Sequence, residues 1–194
     1  GSQFLGPTTR ISGASVKEIE FKSDGYQFTL HLEPGFQVES NDNNLPLSKL
    51  HAGDYRVSYD GTYQIQPLTP ARLELPAAAI TVDPEKPIQA SWSTINYRFE
   101  NSGSTPINEL PYKIYAGRGS EEPKLLKTGR LSIAGQSEQI ISTGWWPDSA
   151  GQWKTWAEID LEYYSNQKIS SGTLAAQNID VQPAAPINMF APLK

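Results

Sequence analysis

The chain has 194 residues, a formal net charge of -5 and a pI near 5.1. Phosphate recognition needs a basic surface, whereas here 16 Lys and Arg are scattered among 21 Asp and Glu, which argues against a nucleic-acid partner. With 38% hydrophobic and 19% charged residues, 15 Gly and 15 Pro, the composition is globular and heavily punctuated by turns, and helical architecture is excluded first.

The length suits two small domains, each able to bury a core without metals or bridges. Zero Cys removes disulfides, thiolate metal sites and Cys nucleophiles. No apolar run approaches the roughly 20 residues that span a bilayer, so no membrane insertion is expected. The opening GSQFLGPTTR lacks the apolar core of a signal peptide. Gly1-Ser2 has the look of a scar left by tag removal, so the sequence is expected to be a piece of a longer protein.

In chain order, Val16 to Phe21 and Tyr26 to Leu32 alternate apolar and polar residues around Ser23-Asp24-Gly25, the pattern of a hairpin. Glu33-Pro34-Gly35 reads as a breaker and Ser40 to Asn44 as an exposed polar loop. Tyr55 to Tyr59 and Tyr63 to Gln66 flank another turn, Asp60-Gly61-Thr62, and Ala71 to Leu75 follows. Residues 11–79 are thus expected to form a small β-domain of five or six strands. Leu75-Pro76-Ala77-Ala78-Ala79 offers little to pack and a Pro that interrupts pairing, which favours a domain boundary near residue 80 over the alternative of one continuous sandwich.

Beyond it, strands are expected at Ile80 to Val82, Ile88 to Trp92, Ile95 to Glu100, Tyr112 to Ala116, Lys124 to Leu131, Gln139 to Trp145, Gln152 to Tyr163 and Gly172 to Val181. Seven or eight strands in about a hundred residues fit a sandwich of two antiparallel sheets over residues 80–183. Residues 184–194 are rich in Ala and Pro and suit a linker or a loosely docked tail. The fold class is therefore all-β: a small N-terminal β-domain followed by an immunoglobulin-like antiparallel sandwich.

Four landmarks occur in order in the second half: Ile95 to Phe99 closing in Asn101-Ser102-Gly103; Tyr112 to Ala116 ending at Gly117; Leu131-Ser132-Ile133-Ala134-Gly135; and Trp145-Trp146-Pro147 with Gly151, Trp153, Trp156 and Ile159-Asp160. In this order they resemble the CARDB family of bacterial cell-adhesion-related domains and the related immunoglobulin-like domains appended to glycosidases, over about residues 85–182. Residues 11–79 resemble no family. The resemblance implies a non-catalytic adhesion or scaffolding module. It departs from the family at Leu161 to Gln167, where CARDB strands end in Asp-Pro or an acidic turn, so no calcium role carries over.

Catalytic chemistry finds no support. His31, between Leu30 and Leu32, reads as an outward strand residue and His51 as part of a turn. No HExxH, GxSxG, GxGxxG or GxxxxGK[ST] string occurs, and the acids fall in turns or on alternating strand faces, so no catalytic residue and no cofactor is expected. Asn41-Asp42-Asn43-Asn44 could offer oxygen ligands through Asp42 and Asn43, but lacks the alternate spacing of a calcium loop, and its plain reading is a solvated loop.

Aromatic supply is the strongest functional lead, with five Trp, nine Tyr and six Phe. Such side chains stack on sugar rings and anchor protein interfaces. Adjacent Trp145 and Trp146 must point to opposite faces of a strand, and so must Trp153 and Trp156. In the family pattern the aromatic before Pro147 packs inside, which leaves Trp145 outward; Trp156 shares a face with Lys154 and Glu158. Trp145 and Trp156 are thus the expected exposed pair, with Trp92 and Tyr163 as further binding candidates.

The function expected is a non-catalytic module of a larger bacterial envelope or secreted protein, periplasmic, cell-surface or extracellular, that binds a protein partner. A carbohydrate-binding module using exposed Trp and Tyr is the alternative, and accessory domains of a larger enzyme a third.

Overall fold

The computed structural model of the chain describes residues 2–4, 10–40, 47–160 and 169–186. The chain divides into two compact units, Gly1–Thr69 and Pro70–Lys194. The first is one antiparallel sheet whose strands β1 (Ser2–Phe4), β2 (Arg10–Lys22), β3 (Gly25–Ser40), β4 (Gly53–Tyr59) and β5 (Tyr63–Pro67) lie in sequence order. The β2–β3 hairpin turns at Ser23-Asp24 with Lys22 opposite Gly25. Only glycine fits there, because a Cβ on Gly25 would stand 1.6 Å from the Tyr59 carbonyl oxygen.

Alternation along β3 and β4 sends Phe28, Leu30, Leu32, Tyr55 and Val57 to one face, where they bury with Ile11 and with Leu47 from a 3-10 turn at Leu47–Lys49. Glu33-Pro34-Gly35 does not end the strand. The register steps from Ala14 opposite Leu32 to Ser12 opposite Gln37, so the breaker is absorbed as a bulge against Gly13, with Gly13 and Gly35 at φ 75° and 78°. The loop with Asp42 and Asn43 lies outside the described residues.

The second unit is an immunoglobulin-like sandwich of β6 (Arg72–Leu75), β7 (Ile80–Asp83), β8 (Ser93–Asn101), β9 (Ile107–Gly117), β10 (Lys124–Ile133), β11 (Ser137–Trp145), β12 (Gly151–Ile159), β13 (Ser170–Leu174) and β14 (Ala176–Val181). One sheet runs β11-β8-β6-β13 with β7 also on β8, the other β10-β9-β12-β14. Inward residues of both, among them Ile95, Tyr97, Phe99, Ile114, Trp145 and Trp153, form a single core.

Three expectations are corrected here. The break between units falls at Thr69/Pro70, not near residue 80, because Leu73 and Leu75 are fully buried in the sandwich core and β6 pairs with β8. Pro76 does end β6, but leads into a 3-10 turn at Ala77–Ala79 that still belongs to this core. Ile88 to Trp92 form no strand: Ile88 makes an isolated bridge to Gln182, and Ala90 turns the chain away at φ 55°. Gly172 to Val181 is two strands in different sheets, β13 parallel to β6 and β14 antiparallel to β12.

Two polar devices tie the sandwich together. The fully buried Asn101 accepts the backbone N–H groups of Arg72 and Gly103 on Oδ1, both at 3.1 Å, and donates from Nδ2 to the carbonyls of Thr105 at 2.8 Å and Ala134 at 3.2 Å. Between the sheets, the Tyr97 hydroxyl donates to Thr155 Oγ1, whose own proton goes to the Tyr115 carbonyl 2.7 Å away. Burial pushes the Tyr97 phenol up to about 12, against the smaller opposing effect of the Thr155 hydrogen bond.

Two predictions follow from these groups. Asn101→Ala strands two buried N–H groups and at least two carbonyls, and is expected to cost about 2–4 kcal/mol in chemical denaturation; a loss below about 1 kcal/mol contradicts the role. For Tyr97, both folded and unfolded chains hold the proton below pH 10; above it the unfolded chain ionises first, so stability falls from pH 10 toward 12. The loss attributable to Tyr97 is about 2–3 kcal/mol. Tyr97→Phe is expected to flatten the stability curve in that window, and an unchanged slope would sink the assignment.

Candidate functional site

Strand β11 pairs with β8 in a regular register that sets Trp145 opposite Ser93. Ile141, Thr143 and Trp145 therefore face the core, and Ile140, Ser142 and Gly144 face outward. Trp145, expected outside, is buried at 1% exposure with its ring edge-on to Trp153 at 5.4 Å. Its neighbour Trp146 takes the outward position that had been expected of Trp145. The expectation fails because Ile140-Ile141 and Trp145-Trp146 are both apolar doublets, so either parity of the strand looks equally suited to the core.

Trp92, one residue before β8, stands beside Trp146 on the same outer face. They are 69% and 46% exposed, with ring centroids 5.5 Å apart at 80°, a T-shaped pair. The indole of Trp92 lies over Gly144, where a Cβ would stand 3.1 Å from Trp92 Cζ3. Ile140, also exposed, continues this strip along β11.

The turns carrying the pair are fastened to each other. Ala90 N–H donates to the Pro147 carbonyl at 2.8 Å, and Gln89 Nε2 to the Asp148 carbonyl at 3.0 Å. Gln89 N–H in turn reaches the Gln182 carbonyl at 2.8 Å, anchoring the turn to the end of β14. Asp148 pairs with Lys124 and accepts Ser149 Oγ at 2.9 Å. The Lys124 hydrogen bond, ahead of the one from Ser149, holds the Asp148 carboxyl below its ordinary range. Trp153 Nε1 donates to the Ser149 carbonyl at 3.0 Å. The Trp92–Trp146 pair is therefore presented by a fixed scaffold.

Trp156 lies on the outer face of the opposite sheet, half-buried, stacked on Tyr115 with centroids 5.7 Å apart at 21°. Trp156, expected to be exposed as Trp145 was, does face outward, but on the other side of the sandwich from the Trp92–Trp146 pair. Tyr163, Asp42 and Asn43 lie outside the described residues. His31 is exposed on its strand, with Nδ1 2.6 Å from Asp54 Oδ1. Among the described residues no three His, Cys, Asp or Glu side chains converge as a metal site, and no helix is long and apolar enough to cross a membrane.

Two residues escaped the sequence reading. Trp146 was set inside by the family pattern, and Tyr115 gave no signal of its own; only the pairing of β9 with β12, which places Tyr115 opposite Trp156, reveals it.

No family model and no curated protein matches the sequence. Solved structures similar to it include the CARDB domain of PF1109 from Pyrococcus furiosus, 14% identical with a TM-score of 0.39 over 59% of this chain and 93% of that one. A crystal structure of the same domain gives 14% and 0.38 over 60% and 93%. A β-glucosidase from Listeria innocua is 7% identical with a TM-score of 0.41, over 60% of this chain and 17% of that one. CARDB is the family that the landmarks from Ile95 to Asp160 resemble.

The opposite fates of the adjacent tryptophans give a direct test. Trp145→Ala empties a core position and is expected to cost about 3–5 kcal/mol, whereas Trp92→Ala and Trp146→Ala are expected to stay within about 1 kcal/mol of the parent. Thermal and urea denaturation of the three variants decide it, and a costlier Trp146→Ala than Trp145→Ala reverses the assigned register.

Proposed function

We propose that the chain is a non-catalytic binding module of a larger bacterial envelope or secreted protein, and that its sandwich holds a protein partner on the face carrying Trp92 and Trp146. The T-shaped exposed pair carries this reading. Perpendicular rings do not make the flat platform that a sugar ring lies on; they make two knobs suited to pockets in a protein surface. Trp is enriched among the residues that dominate protein interfaces, and an anchor already held in place loses little side-chain freedom on binding.

The surroundings support it as well. The Lys124–Asp148 pair and the Arg98–Glu138 pair, the latter at 3.8 Å, supply a mixed-charge polar rim. β11 ends its sheet, and Lys127 Nζ donates to the Ser142 carbonyl at 2.7 Å, the kind of capping that discourages indiscriminate strand pairing at an edge. A partner is thereby directed to the aromatic face.

The test is affinity capture from the envelope and secreted fractions of the source organism, comparing the parent with a Trp92→Ala/Trp146→Ala double variant. The expected outcome is a partner saturably retained by the parent and weakened at least about tenfold in the double variant, a loss of roughly 1.4 kcal/mol. Equal retention by both proteins would rule this face out. Confinement of the captured partner to the cytosol of fractionated cells would rule out the compartment.

A further inference from the structure

We infer that the outer face of β9, β12 and β14 carries a second, separate site: a saccharide-binding groove floored by Trp156. The pairing registers lay this face out in rows. Tyr115, Trp156 and Ala176 form one row, and Gly117, Lys154 and Asn178 the next. Small residues thus flank the indole on two sides. The indole leans across β9 at Gly117, where a Cβ would be in ordinary contact with Trp156 Cη2 at 3.4 Å and with Pro123 Cα at 3.6 Å, so nothing larger than a methyl stands between the ring and the loop that forms the far wall. Tyr115 supports the ring by stacking.

The groove so formed measures about 610 Å³. That lies within the roughly 300–1,000 Å³ of small-molecule sites.

Polar chemistry at its rim selects the ligand class. The Lys154 ammonium and the Asn178 carboxamide stand opposite each other, both exposed, and neither makes a side-chain hydrogen bond or ion pair among the described residues. Their neighbours are already engaged: Gln152 donates to Asp180 at 2.9 Å and Arg118 pairs with Glu121 at 2.8 Å. The rim therefore offers unspent donors, and Asn178 an acceptor, beside an aromatic surface. It has no positive surplus to hold a phosphate: Lys154, Arg118 and Lys113 on and around this face are matched in number by Glu121, Glu158 and Asp180, with Arg118 paired to Glu121 and Lys113 opposite Glu158. A pyranose ring matches this arrangement: its C–H face lies against an aromatic ring and its edge carries hydroxyls that both donate and accept.

The site is tested on the whole chain by titrating cellohexaose, xylohexaose, chitohexaose and oligogalacturonate, followed by calorimetry and tryptophan fluorescence. At least one is expected to bind with a Kd near or below about 1 mM. Trp156→Ala is expected to weaken that binding at least about tenfold. Ala176→Arg, which fills the groove and leaves the aromatic pair intact, is expected to do the same. Asn178→Ala is expected to weaken it several-fold, and the Trp92→Ala/Trp146→Ala double variant to bind as the parent does. Absence of binding by all four at about 10 mM, full binding by Ala176→Arg, or binding of AMP in place of any sugar overturns the inference. None of these results bears on the protein-partner face.

Discussion

The sandwich depends on one buried carboxamide. Asn101 ends β8, and its side chain reaches the start of β6 through Arg72 N–H, the turn after β8 through Gly103 N–H and Thr105 C=O, and the β10–β11 connection through Ala134 C=O. Arg72 opens β6, whereas Gly103, Thr105 and Ala134 lie in the connections outside the strands. Burying them without Asn101 would incur the desolvation penalty several times over. Two glycines make the close approach possible: a Cβ on Gly103 would lie 2.0 Å from the Pro70 carbonyl oxygen, and one on Gly135 2.0 Å from that of Ser104. The Asn101-Ser102-Gly103 and Ala134-Gly135 landmarks thus have one physical cause, the closing of three chain connections around a single amide.

That constraint fixes the frame in which the surfaces are displayed. With β6, β8 and the β10–β11 turn joined at one end, the regular β8–β11 register carries from Asn101 opposite Ser137 to Ser93 opposite Trp145 without a shift. Side-chain direction at the far end of β11 is therefore set at the Asn101 end, since a slip of one residue would turn every side chain over. The buried tryptophan and the exposed one exchange places only if the whole ladder moves.

Strand pattern made most of the fold legible in the sequence. Alternation and turn chemistry located the Ser23-Asp24-Gly25 and Asp60-Gly61-Thr62 hairpins and the strands around Ile95, Tyr112, Lys124, Gln139 and Gln152. What escaped was set by long-range pairing. Arg72–Leu75 has the same local pattern whether it closes the first unit or enters the second, and only its pairing with β8 and β13 decides. Gly172 to Val181 has no Gly or Pro after its first residue to mark a boundary, yet crosses between sheets at Ala175, whose N–H reaches the Leu75 carbonyl at 2.8 Å. Of the candidate site, the outward placing of Trp156 on the face of Lys154 and Glu158 was readable from alternation, whereas the placing of Trp92 was not, because the strand expected over Ile88 to Trp92 does not form. Nor was the choice between Trp145 and Trp146, because parity cannot be read across two apolar doublets.

The two outer faces share a device and differ in its result. On each, an indole lies over a glycine of the neighbouring strand, Trp92 over Gly144 and Trp156 over Gly117. A glycine within a strand leaves a gap on the pleated surface, and a cross-strand aromatic ring that covers it recovers buried area and shields the ladder from water. What differs is the second ring. Trp146 meets Trp92 edge-on and leaves both indoles projecting, whereas Tyr115 lies nearly parallel to Trp156 and leaves a broad surface flanked by Gly117 and Ala176. The angle between two rings therefore separates a face suited to insertion into a protein from one suited to laying down a flat ligand. The constraint on the glycine differs too: a Cβ at Gly144 would crowd Trp92 at 3.1 Å, whereas one at Gly117 would meet Trp156 at 3.4 Å, in ordinary contact.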